Sequence, residues 1–150
     1  MNRKLKRMLE RGKPSHPSRR PVRIPKIVLQ DRDFNQIEIM MMRLAKGEID
    51  FENGRYVMTA LDGEKYCIVN ALEGWIENFA RLAKTAGVEY DDTPLVLLKN
   101  RLKNGMMLTP EGVSAAKAVV DAQIKIYQAA PKEMISSVAT TTQISLMLQR

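Results

Sequence analysis

The chain has 150 residues, 45% hydrophobic and only 5% aromatic, with one Cys, one His and ten Met, and its 24 Lys or Arg against 17 Asp or Glu give a formal charge of +7. A single cysteine excludes an internal disulfide, and one Cys with one His cannot build a zinc cluster. No apolar run approaches the roughly 18 residues that a membrane span needs. The length fits one domain, and low aromatic with high Met, Ala and Leu content favours helices over a β-sandwich.

The charge is concentrated at the start of the chain. Residues 1–30 hold ten cations (Arg3, Lys4, Lys6, Arg7, Arg11, Lys13, Arg19, Arg20, Arg23 and Lys26) against one acid, Glu10, so this segment carries +9 and the remainder −2. It lacks the apolar stretch of a secretory signal. It shares Arg and Ser enrichment with transit peptides, but Pro14, Pro17, Pro21 and Pro25 break the amphipathic helix such a peptide needs. Residues 2–11 have the pattern of a short basic helix with Leu5, Met8 and Leu9 on one side, stopped by Gly12 and Pro14 and too short to be stable alone. The four prolines then predict extended, exposed chain. Residues 1–28 are read as a flexible basic arm, and residues 29–150 as one helical domain.

The domain is expected to open with a helix near Asp33, capped by Asp31 or Asp33, with Phe34, Ile37, Met41 and Leu44 inward and Gly47 at its end. Residues 48–54 read as a loop. Arg55–Ala60 and Lys65–Asn70 read as two strands joined by a two-residue turn at Asp62-Gly63, which sets Val57 opposite Ile68 and Thr59 opposite Tyr66. A second helix over about 70–86 has the stripe Leu72, Trp75, Ile76, Phe79, Ala83 and Ala86, an i,i+4 pair in Glu77 and Arg81, and Gly87 as its C-cap.

A third helix should start at Asp92 or Thr93 with Pro94 in its first turn, face Leu95, Leu98 and Leu102 inward, and end at Asn104-Gly105. A fourth starts at Thr109 with Pro110 and Glu111, buries Val113, Ala116, Val120, Ile124 and Tyr127, and runs to about Ala130. The last segment is ambiguous. Val138, Thr140, Thr142, Ile144, Leu146 and Leu148 alternate like a strand and three consecutive threonines are poor helix formers, yet Met134–Val138 reads as helix; the reading leans to helix over 131–148. The fold class is therefore mainly α: a four- to five-helix compact domain, one small β-hairpin over 55–70, and an extended basic N-terminal arm.

The arm carries the functional reading. Its cations can neutralise phosphates and release counterions, giving sequence-independent affinity for nucleic acid. No aromatic residue interleaves it, so base stacking is missing, and duplex or structured RNA fits better than single strands. Lys99 and Lys103 share a helix face and offer a second phosphate contact, whereas Arg101 points elsewhere. The helix pair 93–104 and 109–130 resembles a helix-turn-helix only loosely. Its turn is long, and the would-be reading helix begins with Pro110, Glu111 and Gly112 rather than Arg, Lys, Asn or Gln. Met is adaptable at contact surfaces, so Met40, Met42, Met106 and Met107 are candidate protein-interface residues, although two of Met40, Met41 and Met42 belong in the core.

His16 has no acid or Cys nearby in sequence to use it, and Cys67 reads as a small buried hydrophobe. Asp91 and Asp92 read as helix caps rather than metal ligands. There is no Gly-rich phosphate loop, HExxH or GxSxG in the sequence. The expectation is a small non-enzymatic, nucleic-acid-associated cytoplasmic protein of bacterial or phage type, without cofactor or metal, whose body docks protein, itself included. Two other classes compete: an inhibitor or adaptor whose arm enters an acidic groove of another protein, and an assembly subunit whose arm threads into a neighbour.

Overall fold

The computed structural model describes residues 34–60 and 63–148; the basic arm, Asp31, Asp33 and Asp62 lie outside the described residues. Helix α1 (Asn35–Lys46) buries Ile37, Met40, Met41 and Leu44, which recur every three or four residues and so share one face. It stops at Gly47, where φ is +72°, and the N–H groups of Gly47 and Glu48 donate to the carbonyls of Leu44 and Arg43 at 3.2 and 2.9 Å. A left-handed C-cap of this kind satisfies carbonyls the helix leaves open.

A three-stranded antiparallel sheet follows, ordered β1 (Asp50–Glu52), β2 (Arg55–Thr59), β3 (Lys65–Cys67). The sequence reading differs from it in three places. Residues 50–52 are a strand within the expected loop, because Asn53 and Gly54 have φ of +52° and +76° and turn the chain back with Glu52 opposite Arg55. Asn-Gly is the pair that a two-residue hairpin turn requires, so the tight turn lies here. The β2–β3 connection is longer than two residues. Ala60 N–H donates to Glu64 C=O at 2.7 Å, Gly63 N–H donates to Ala60 C=O at 2.9 Å, and Gly63 has φ +85°. Three residues therefore separate the closing pair, and the register moves by one: Val57 faces Cys67, Met58 faces Tyr66, and Thr59 faces Lys65. The third difference is that β3 ends at Cys67 and residues 68–70 are helical.

Helix α2 (Ile68–Ala86) starts early because Ile68, Ala71, Leu72 and Trp75 already share its buried face. The expected stripe is present through Leu72, Trp75, Phe79 and Ala83, with Leu82 and Asn78 beside it; Ile76 is half-buried and Ala86 is exposed. Glu77 and Arg81 pair at 3.8 Å. Helix α3 (Thr93–Lys103) buries Leu95, Leu98 and Leu102. Its cap comes from Asp91, whose Oδ1 accepts from the Thr93 N–H at 3.0 Å and from the Thr93 hydroxyl at 2.6 Å. These bonds favour the carboxylate and hold Asp91 below the usual Asp range. Helix α4 (Pro110–Ala129) is capped as expected, with Thr109 Oγ1 accepting from Gly112 N–H at 3.0 Å.

The C-terminal segment is helix α5 (Lys132–Leu148). Its threonines are compatible with a helix because each hydroxyl donates to the carbonyl four residues back: Thr140 to Ser136, Thr141 to Ser137 and Thr142 to Val138, at 2.9–3.0 Å. Ile135, Val138, Ala139, Thr142 and Leu146 are its buried residues, a helical repeat.

Helix α2 is the hub. It packs against α5 on one side and α3 on another and receives β2 and β3 near its start; α4 packs on α3, and α1 on α4. The buried side chains form one continuous cluster. Few aromatics are present, but four meet at its centre. Tyr127 lies 5.1 Å from Trp75 and 5.7 Å from both Phe34 and Phe79, ring centre to ring centre. Two buried hydrogen bonds join α2 to α4 through this cluster: Trp75 Nε1 to Gln123 Oε1 at 2.5 Å and Asn78 Nδ2 to the Tyr127 hydroxyl at 2.7 Å.

Candidate interaction site

The α3–α4 link is held by its own backbone and by a side chain. Met106 N–H donates to Arg101 C=O at 2.8 Å, and Arg101 Nη1 donates to Met107 C=O at 3.1 Å. Arg101 is thereby used as a clamp on the link. The link forms one wall of an apolar groove of about 420 Å³, whose other lining residues include Leu44, Ile49, Tyr56 and Val113. Met106 and Met107 both line it and are 51% and 86% exposed, large apolar areas for side chains on a surface. Their unbranched thioethers can reshape to fit an apolar partner.

The other two candidate methionines behave differently. Met40 is 1% exposed and belongs to the core, which corrects its assignment to an interface: α1 turns Met40 and Met41 inward together and leaves Met42 exposed. Met42 is not among the residues that line the groove.

Of the α3 lysines, Lys103 Nζ lies 3.9 Å from Glu73 Oε2 on α2, a long and solvent-screened pair. Lys99 is half-buried and has no ion-pair partner among the described residues. At the N-terminus of α4, Glu111 and Ser114 are exposed, and Lys117 is tied to Asp121 at 3.0 Å, so the outer face of this helix presents mixed charge and no arginine. The cationic arm residues Arg3, Lys4, Lys6, Arg7, Arg11, Lys13, Arg19, Arg20, Arg23 and Lys26 lie outside the described residues.

Sequence reasoning passed over the buried polar pairs. Asn78 and Gln123 fall on the inner faces of α2 and α4, yet each is polar and at most 2% exposed. Both are half-used: Asn78 Oδ1 and Gln123 Nε2 have no hydrogen-bond partner among the described residues. The signal was their position in the helical repeat, since Gln123 sits between Val120 and Tyr127 on the apolar stripe. Burial pushes the Tyr127 hydroxyl well above the usual tyrosine range and the Tyr66 hydroxyl up to about 12. Neither faces a base that would use its proton: Tyr127 is held by Asn78, and Tyr66 donates to Met58 Sδ at 3.3 Å. No cluster of three His, Cys, Asp or Glu that could hold a metal occurs among the described residues. No helix among them is long and apolar enough to cross a membrane. No family model matches the chain, and neither the curated proteins nor the solved structures give a match.

Proposed function

We propose that this chain is a non-enzymatic, nucleic-acid-associated protein, in which the N-terminal arm contacts phosphates and the helical body docks protein. The observation that carries this reading is charge segregation: ten Lys or Arg and one acid within residues 1–30, on a chain whose total is only +7. A short, dense run of cations gains most beside a polyanion, where each contact releases condensed counterions. Arg19, Arg20 and Arg23 are set around Pro21, and three guanidinium groups so close in sequence can reach a phosphate backbone or a narrow groove. Lys99 and Lys103 would add weaker contacts. The groove beside Met106 and Met107 is the feature that favours a protein partner for the body, with an apolar side chain as its occupant.

The test is a gel-shift titration of the full chain on duplex DNA and on structured RNA across salt concentration. Phosphate binding predicts a linear fall of log affinity with log salt, about 0.9 per contact on duplex DNA. Replacing Arg19, Arg20 and Arg23 together by Ala should lower that slope by up to about 3 and weaken all sequences alike. An absence of retardation at low salt overturns the reading. Retention of the full slope in the triple variant removes these arginines from it. The adaptor reading predicts instead no retardation on either nucleic acid and salt-sensitive capture of an acidic protein.

A further inference from the structure

Asn-Gly occurs twice in the chain, at Asn53-Gly54 and at Asn104-Gly105, and the fold treats the two pairs differently. The backbone nitrogen after an asparagine can attack that residue's own side-chain amide and close a five-membered ring, and a following glycine has no Cβ to obstruct the approach. Asn53 and Gly54 form the exposed two-residue turn between β1 and β2, with φ of +52° and +76°. A Cβ at Gly54 would meet nothing within 4 Å, so no neighbour crowds the tip of the turn. Among the described residues, neither the Gly54 N–H nor the Asn53 side-chain amide has a hydrogen-bond partner.

The second pair is tied down. Asn104 closes α3, its N–H donating to Asn100 C=O at 3.0 Å, and the Gly105 N–H donates to Leu102 C=O at 3.3 Å. The two bonds that join Arg101 to Met106 and Met107 hold the chain on the far side of the pair. The attacking nitrogen at this site must give up a hydrogen bond before the ring can close. Asn70, Asn78 and Asn100 lie inside helices and are followed by Ala71, Phe79 and Arg101, whose Cβ atoms obstruct the approach that a glycine leaves open.

We infer that Asn53 is a site of spontaneous deamidation, a covalent modification selected by the β1–β2 turn. Base takes the proton of the Gly54 N–H, and the electron pair of that nitrogen forms a bond to Asn53 Cγ. The Cγ–Nδ2 bond breaks and ammonia leaves with the proton, so a succinimide ring remains. Water then opens the ring. Cleavage at Cγ leaves aspartate, and cleavage at the backbone carbonyl leaves isoaspartate, in which the chain runs through the side chain. Nothing is oxidised or reduced, and solvent supplies the water. Either product sets a carboxylate beside Glu52, in a stretch that already holds Glu48 and Asp50. Isoaspartate also adds a methylene to the backbone of a turn built for two residues. The modification therefore acts on the strand pair that carries Tyr56 into the wall of the groove. This inference is independent of what the arm binds.

The experiment is ageing of the full chain in mildly alkaline buffer made with oxygen-18 water, below its thermal midpoint, followed by peptide mapping by mass spectrometry. Asn53 should convert at least about fivefold faster than Asn104, the factor that one hydrogen bond on the attacking nitrogen represents, and its product should carry the heavy oxygen. Both aspartate and isoaspartate should appear at this position, since water opens the ring from either side. The same ageing in concentrated denaturant removes the turn and the helix end, and the two rates should converge. An Asn53 that keeps its amide as long as Asn104 in the folded chain overturns the inference. So does a rate ratio that persists unchanged in denaturant, because the adjoining side chains rather than the fold would then set it. Aspartate alone would mean direct hydrolysis of the amide and would overturn the part given to Gly54.

Discussion

Trp75 is the residue on which most of the core converges. It is fully buried, lies against Tyr127, and gives its only polar hydrogen to Gln123. Trp75→Ala should cost about 3–5 kcal/mol, the usual range for a buried aromatic cut to a methyl group. Denaturant unfolding followed by far-UV circular dichroism checks this, and an unchanged midpoint would remove Trp75 from the centre of the core. Tyr66 and Tyr127 make a second prediction. Both hydroxyls hold their protons above the ordinary tyrosine value, so above pH 10 the unfolded chain loses protons that the folded chain keeps. The contribution of Tyr66 is complete below pH 10 and is lost as pH rises towards about 12. Chemical denaturation at pH 9 and pH 11 should show lower stability at the higher value, with a smaller drop in Tyr66→Phe; equal drops in both chains would remove Tyr66 as a contributor. Trp75 was legible in the sequence because Leu72, Trp75 and Phe79 mark a helical stripe. Asn78 and Gln123 were not, because a stripe is found from its apolar members and a polar residue within it looks like a gap.

Elements with explicit start and stop chemistry were the most legible. Thr109 followed by Pro110 and Glu111 marked the start of α4, and the cap bond to Gly112 is present. Thr109→Ala should destabilise by about 1 kcal/mol, read as a fall in thermal midpoint. The sheet was read less well for a local reason. Two Gly-containing turn pairs lie ten residues or less apart, and the weight went to Asp62-Gly63, although Asn53-Gly54 has the positive φ angles of the two-residue turn. A Cβ at Gly54 would meet nothing within 4 Å, so Gly54→Ala tests backbone conformation alone. It should cost about 1–2 kcal/mol, the penalty for a left-handed L-residue. No change in stability would mean that this turn is not what sets the β1–β2 register. The α5 ambiguity had a similar origin: threonines disfavour helices by their β-branching, and three successive bonds to the preceding turn satisfy their hydroxyls within one.

At the scale of the whole molecule, charge and apolar surface are separated. Net positive charge is concentrated in the first thirty residues, the rest of the chain sums to −2, and exposed apolar side chains include neighbours at the α3–α4 link and along the end of α5. Composition alone revealed the first of these. It could not reveal the groove, because Met106 and Met107 meet Leu44, Ile49 and Tyr56 only after α1, the sheet and α4 have packed. Methionine adjacency likewise could not separate Met40 from Met42, since that depends on which face of α1 meets α4. Met107→Asp, at an 86% exposed position, should leave the thermal midpoint nearly unchanged and weaken capture of any partner that uses the groove. A large loss of stability would instead make Met107 a structural part of the link.

The chain has one tryptophan, and Phe34, on the N-terminal side of α1, meets that indole edge-on at 6.5 Å. Tryptophan emission, excited selectively, therefore reports on a single site beside Phe34. A ligand whose binding shifts Phe34 would change the emission of unlabelled protein, an optical readout available without adding a dye.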